Sequence, residues 1–347
     1  MKLQIVGALL ALVLAAPELR AIALLPVIDL HVDLPYRSGY KGAPFAEGSG
    51  QFRASELLAS GLSGVVLPLF VPRDATPQGR TKAEFEASYA RVFSSILQQP
   101  PYALPGCEVK QAGGSARQVT TWLSFEGAEP IEPSLQELAI WSLRGVRLFG
   151  LVHSQHNRLA SSSGEPSTGK GLSARGREFA IHVLELGGVL DVSHASDEST
   201  DELIALAQRA GRPIVASHSN ARALAPHPRN LTDAQIRAIA QTGGVIGVNF
   251  HQAFLAKRGR TATLADVVEQ VRYLARLGGL GVVAIGSDFE GGIRPVRELD
   301  GAGTYQRLAH ALGESGFSTA DQARVLGGNA LRVLCPAAKF ARSAGHD

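Results

Sequence analysis

Cysteine is nearly absent from this chain, at two residues in 347. A zinc site made of thiolates is therefore excluded, and any metal must be held by imidazole and carboxylate. Cys107 and Cys335 can pair or remain two partly buried thiols, and the count alone favours neither. Charge of one sign is scarce as well. A formal net charge of +3 with no block of Lys or Arg argues against nucleic acid as a partner. The apolar run at residues 3–16, behind Lys2, is too short for a stable anchor, because a helix needs roughly 20 residues to span a bilayer. A positive start, a short apolar core and small residues around Ala21-Ile22-Ala23 describe a secretory signal over residues 1–23. A retained amphipathic or barrel-capping helix is the alternative. The signal reading puts a mature chain of residues 24–347, with no transmembrane span, in the periplasm or outside the cell.

What is present is a rhythm. With 45% apolar residues and no low-complexity tract, the chain can bury a large core. Short β-branched runs at 27–33, 64–71, 119–126, 145–153, 189–194, 213–218, 244–250 and 282–288 read as strands. Segments with a 3.6-residue period lie between them, at 82–98, 173–186, 200–210, 232–241 and 264–277. Ser173 and Thr232 suit their starts, and Gly187, Gly211, Gly243 and Gly278 suit their ends. Residues 161–171, 196–200 and 291–304 read as loops, and a last helix over 319–334, starting after Ser318, is expected on the outside. Eight strand–helix units without a change of composition predict a single-domain (β/α)8 barrel.

A buried strand should be apolar, yet the strand endings here carry ionisable groups. His31 and Asp33 close the first, Glu126 the third, His153 the fourth, His194 the fifth, His218 the sixth and Asp288 the eighth. In such a barrel the carboxyl ends of all strands meet on one rim, where chemistry takes place. One histidine at a strand end is usually structural, and His156, His182, His227, His251, His310 and His346 are read that way. Coincidence at one rim lifts the chosen set. His31 and Asp33, two apart, point to one side if Ile28, Leu30 and Val32 pack outward. Three imidazoles and two carboxylates suit zinc, and a pair of cations needs a bridging ligand. No strand ends in Lys, so a carboxylated lysine is unavailable and Glu126 can bridge instead.

The motifs then resemble those of the membrane dipeptidase family of metallopeptidases. They run in order from 27 to 334: VIDLHVDLP, SFEGAEPI, GVRLFGLVH, GVLDVSHAS, PIVASHSNARAL, RNLTD, GVNF, GSDFEG and GGNALRVL. The resemblance implies two zinc ions per chain, the first on His31 and Asp33, the second on His194 and His218, with Glu126 between them. It also implies a small dipeptide substrate contacted by His153 and Arg229, and proton transfer by Asp288. Enzymes of this kind are often homodimers, and the sequence leaves the oligomeric state open. Departures are Leu30 and Val32 flanking the first histidine, where Gly and Asn are usual, and a segment at 154–163 without Trp. The lack of a hydrophobic carboxyl-terminal tail speaks against a lipid anchor. Two rival readings remain: a metal amidohydrolase acting on lactams, lactones or acylated amino acids, and a non-catalytic binding barrel.

Overall fold

The structure, a computed structural model, describes residues 24–41, 50–72, 80–98, 102–103 and 119–335. The export segment read at 1–23 and Cys107 lie outside the described residues. The strands are β1 (Val27–Asp29), β2 (Leu62–Leu69), β3 (Tyr102–Ala103), β4 (Val119–Glu126), β5 (Val146–Gly150), β6 (Val189–Asp191), β7 (Val215–Ala216), β8 (Val245–Val248) and β9 (Val283–Ile285). All pair in parallel in the order β2-β1-β9-β8-β7-β6-β5-β4, and β2 pairs with β4 to close the ring. Strand β3 hangs on β4 outside it. This is the eight-stranded barrel that the alternation predicted.

Local chemistry sets the helix ends. Side chains of Thr81, Ser134, Ser173, Ser196, Thr232 and Ser318 each accept a hydrogen bond from an amide in the first turn. Gly187, Gly211 and Gly243 turn left-handed after their helices, at φ 74°, 60° and 73°. Gly278 instead ends the helix Leu264–Gly278, and Gly279 takes the left-handed position at φ 79°. The segment expected as a loop at 196–200 is helical from Asp197, since Ser196 caps Asp197–Arg209 and Asp197 and Glu198 favour its amino end.

One apolar cluster holds a residue from every strand of the ring: Ile28, Val66, Trp122, Leu148, Val189, Val215, Val245 and Ala284. It fills the barrel interior. Ala330, Val333, Leu334 and Cys335 join the same cluster. The last helix therefore plugs the floor of the barrel instead of lying outside it, because its apolar face covers the mouth that the strand starts leave open. That helix is broken into Thr319–Ala323, a wider turn at Arg324–Gly328 and Asn329–Leu334. Cys335 is disulfide-bonded. Ile28 and Leu30 also face inward, not outward as expected, while Val32 packs in the outer core. Strand β1 stops at Asp29 and the chain bends at Leu30, so the alternation of sides slips before His31. No helix among the described residues is long and apolar enough to cross a membrane.

Candidate metal centre

Glu126 is the last residue of β4, and the other rim residues follow within four positions of their ladders' ends. That is where the backbone leaves the regular sheet and can aim a side chain over the barrel mouth. His194 and Asp288 do so with φ of 69° and 66°, a conformation that costs a non-glycine residue energy and that surrounding structure must impose. Around Oε1 of Glu126 stand Nε2 of His194 at 3.0 Å, of His31 at 3.4 Å, and of His153 and His218 at 3.7 Å. His31 Nε2 is also 3.3 Å from Oδ2 of Asp33. Nε2 atoms of His194 and His218 lie 2.9 Å apart. Three overlapping groups can hold a cation: His31 with Glu126 and His218, Glu126 with His153 and His194, and His31 with Asp33 and Asp288.

The residues present fit divalent metal. Both ring nitrogens of His31 and Nδ1 of His194 are buried without a hydrogen-bond partner, a costly arrangement unless something else binds there. Three buried carboxylates face one another at this rim, and repulsion and burial raise two of them. Burial lifts Asp33, and burial with the Asp33 charge pushes Asp288 up to about 8. Burial works on Glu126 in the same sense, but the imidazoles of His153, His31 and His218 outweigh it and hold Glu126 low. Burial alone would lower His31, yet Asp33 and Glu126 raise it to about 10. Burial drops His194 and His218 well below the usual imidazole range and His153 to about 4. His153, His194 and His218 thus stand beside the carboxylates as neutral nitrogen donors.

Behind the rim lie residues that the reading of the sequence missed. Asp29 Oδ1 accepts the amides of His31 and Ser287, each at 3.0 Å, and its Oδ2 accepts the Tyr305 hydroxyl at 2.5 Å. Asp191 Oδ1 does the same for the amides of Ser193 and Ser217, at 2.9 and 3.0 Å. Each carboxylate ties two neighbouring strand ends and so fixes the histidine that follows. Asn249 Nδ2 donates to Oδ2 of Asp288 at 2.9 Å. The signal was available for the first two: an aspartate two or three residues before a strand-end histidine, in VIDLH and VLDVSH.

The centre opens into a cavity of about 330 Å³. Asp33, Glu126, His153, His194, Arg229 and Asp288 line it, as do Tyr36, Phe70, His251, Phe254 and Ile293, which the sequence did not point out. His251, read as structural, could have been found by its place three residues past β8. The Phe70 ring packs 4.5 Å from that of His153. Arg229 is 9% exposed, stacks 5.6 Å above Phe254, and makes no ion pair or side-chain hydrogen bond among the described residues. A buried guanidinium facing a cavity, with no anion beside it among the described residues, can receive one.

A closed parallel barrel with metal-capable imidazoles and carboxylates gathered on its carboxyl rim defines a barrel metallohydrolase. The sequence pattern of the membrane dipeptidase family, peptidase family M19, matches residues 18–346, and the chain belongs to that family of metallo-dipeptidases, hydrolases acting on peptide bonds. It is 40% identical over 218 residues to an uncharacterized protein of the pqqA 5′ region of Klebsiella pneumoniae, covering 60% of this chain and 79% of that one. To dipeptidase aclJ of Aspergillus oryzae it is 33% identical over 232 residues, 66% of this chain and 54% of that protein. The chain thus spans about half the length of that fungal dipeptidase. In fold it is similar to a metallo peptidase from Rhodobacter sphaeroides solved with a phosphinate mimic of L-Ala-D-Ala, with TM-score 0.77 and 23% identity, covering 90% of this chain and 99% of that one. It is likewise similar to the probable dipeptidase PvdM of Pseudomonas aeruginosa, with TM-score 0.78 and 24% identity over 89% and 94% of the two chains.

Proposed function

We propose that this protein is a binuclear zinc dipeptidase that hydrolyses small dipeptides bearing a free carboxylate. The observation that carries this reading is the convergence of His31, His194 and His218 on one oxygen of Glu126, with buried imidazole nitrogens left unpartnered. His31 and Asp33 would hold one ion, His194 and His218 the other, and Glu126 both. Two such ions, when bound, would polarise a carbonyl and lower the pKa of a water toward roughly 7.

The chain's own residues do the rest. The Arg229 fork binds the substrate carboxylate in the cavity, which favours dipeptides because a longer chain would present an uncharged peptide unit there. His153, held neutral by burial, donates a hydrogen bond to the scissile carbonyl oxygen. Asp288 takes a proton from the attacking water and returns it to the leaving amine. Asn249 orients its carboxyl for that transfer. Tyr36, Phe70 and Phe254 give the cavity aromatic walls, against which a substrate's apolar side chain can pack. Export on residues 1–23 completes the proposal, and the mature amino terminus read by protein sequencing tests that part.

Metal quantification of the purified protein beside a hydrolysis assay with L,L- and L,D-dipeptides and a β-lactam tests the whole. About two zinc ions and dipeptide turnover are the expected result. A metal-replete protein inert toward every dipeptide would overturn it.

A further inference from the structure

Behind the rim a buried ion pair joins the two chain segments that carry Asp33 and Asp288. Arg37 sits one turn past Asp33 in the helix Leu34–Tyr40, and Glu290 sits two residues past Asp288. Arg37 Nη1 donates to Oε1 of Glu290 at 2.9 Å, with both side chains 7% exposed. The same oxygen accepts the Phe52 amide at 2.7 Å, and the Glu290 amide donates to Oε1 of Gln51 at 2.9 Å. Gly50, at φ 100°, makes room for this: a Cβ there would sit 2.5 Å from Glu290 Oε1 and 2.6 Å from Arg37 Nη1. Neither charge lines the cavity.

The segment so clamped is a strained one. Asp288 and Glu290 both have left-handed backbones, at φ 66° and 70°. Between them Phe289 is stitched to β1's extension: the Asp288 amide donates to the His31 carbonyl at 3.0 Å, and the Asp33 amide to the Phe289 carbonyl at 2.8 Å. Two strained non-glycine residues within three positions will relax unless something holds them. The carboxylate of Glu290 is the anchor at the far end, gripped by the helix that begins beside Asp33.

We infer that Arg37 and Glu290 form a positioning pair that holds the 288–290 turn in its left-handed shape and aims the Asp288 carboxyl at the cavity. The inference rests on the dipeptidase reading for its kinetic consequence. A mispositioned proton-transfer group loses turnover steeply, on the order of 10- to 100-fold for a shift near 1 Å, while substrate binding by Arg229 is untouched.

The test uses the full chain with Glu290→Gln, and with Glu290→Gln combined with Arg37→Met so that no buried charge is left alone. Expected in the double variant are wild-type zinc content, kcat for an alanyl dipeptide lowered about 10- to 100-fold, and KM within about twofold. Hydrogen exchange is read alongside. The Asp33 and Asp288 amides should exchange about tenfold faster, and those of β4 and β5 at the wild-type rate. Wild-type turnover, or unchanged exchange at both amides, overturns the inference. Should the wild-type protein hydrolyse no dipeptide, the functional reading fails by itself, and the exchange rates still decide whether the pair holds the turn.

Discussion

Asp288 is constrained through its backbone, its hydrogen bond and its electrostatic surroundings. Its backbone is left-handed, its carboxyl is bonded by Asn249, and burial with the neighbouring Asp33 lifts its proton affinity. A carboxyl held so can take and give a proton, whereas an amide of the same shape cannot. Asp288→Asn should therefore lower kcat by about 10²–10⁴ while zinc stays near two per chain, and turnover at the wild-type level would remove Asp288 from the mechanism. Arg229 should behave differently. Its guanidinium, without an ion pair among the described residues, would meet a substrate carboxylate in the ground state as well as in the transition state, so Arg229→Ala should chiefly raise KM for dipeptides. An unchanged KM would end its assignment to the carboxylate. Both residues were legible in the sequence, Asp288 as a charge at the end of an apolar run and Arg229 through the RNLTD motif. Neither the left-handed turn at Asp288 nor its bond to Asn249 was legible, since backbone strain has no composition.

Strand ends are the working elements of this protein. The ladders of β1, β6, β7 and β9 stop two or three residues short of the histidines and aspartate they present, and buried polar side chains replace the lost backbone pairing. Asp191 is the clearest case, one oxygen taking two amides from neighbouring strands. Asp191→Ala would leave both amides buried without a partner, at a cost of about 1–3 kcal/mol each. The backbone that aims His194 and His218 would loosen with them. Zinc affinity should fall about 10- to 100-fold, as it does when a partner behind the ligands is lost. Denaturant titration and competition with a chelator give the two numbers, and unaltered zinc affinity would show that Asp191 serves stability alone. The periodicity of the sequence located all eight strands of the ring but drew several too long. The continuations HVD after VIDL and VSH after VLD each keep a β-favouring valine, Val32 and Val192, and scattered backbone bonds persist there although the continuous ladder has already ended. The last helix was misplaced for a related reason. An apolar stripe says that a face is buried, and topology decides that it meets the barrel floor.

At the scale of the whole molecule the barrel divides into a dry floor and a charged rim. The floor, filled from Ile28 to Ala284 and plugged by Val333 and Leu334, holds the eight strands together without help from the site. The rim has the opposite character. His31, Asp33, Glu126, His194 and His218 come from β1, β4, β6 and β7, so bound cations would cross-link four strands at once. Without cations the carboxylates of Asp33, Glu126 and Asp288 repel, and buried imidazole nitrogens lack partners. Removing metal should therefore leave a folded barrel of lower stability. Anything that binds only the native state stabilises it by about 2.7 kcal/mol at a hundredfold excess over its dissociation constant. Chelation should accordingly lower Tm, and added zinc should restore it. The far-ultraviolet spectrum should stay that of an α/β protein below the transition, because the floor core does not depend on the ions. Acid weakens the effect, since imidazoles must lose their protons to bind metal. Calorimetry of the stripped and reloaded protein at neutral pH is the measurement. An identical Tm in both forms, with zinc content verified, would mean that these five side chains do not share a cation at all.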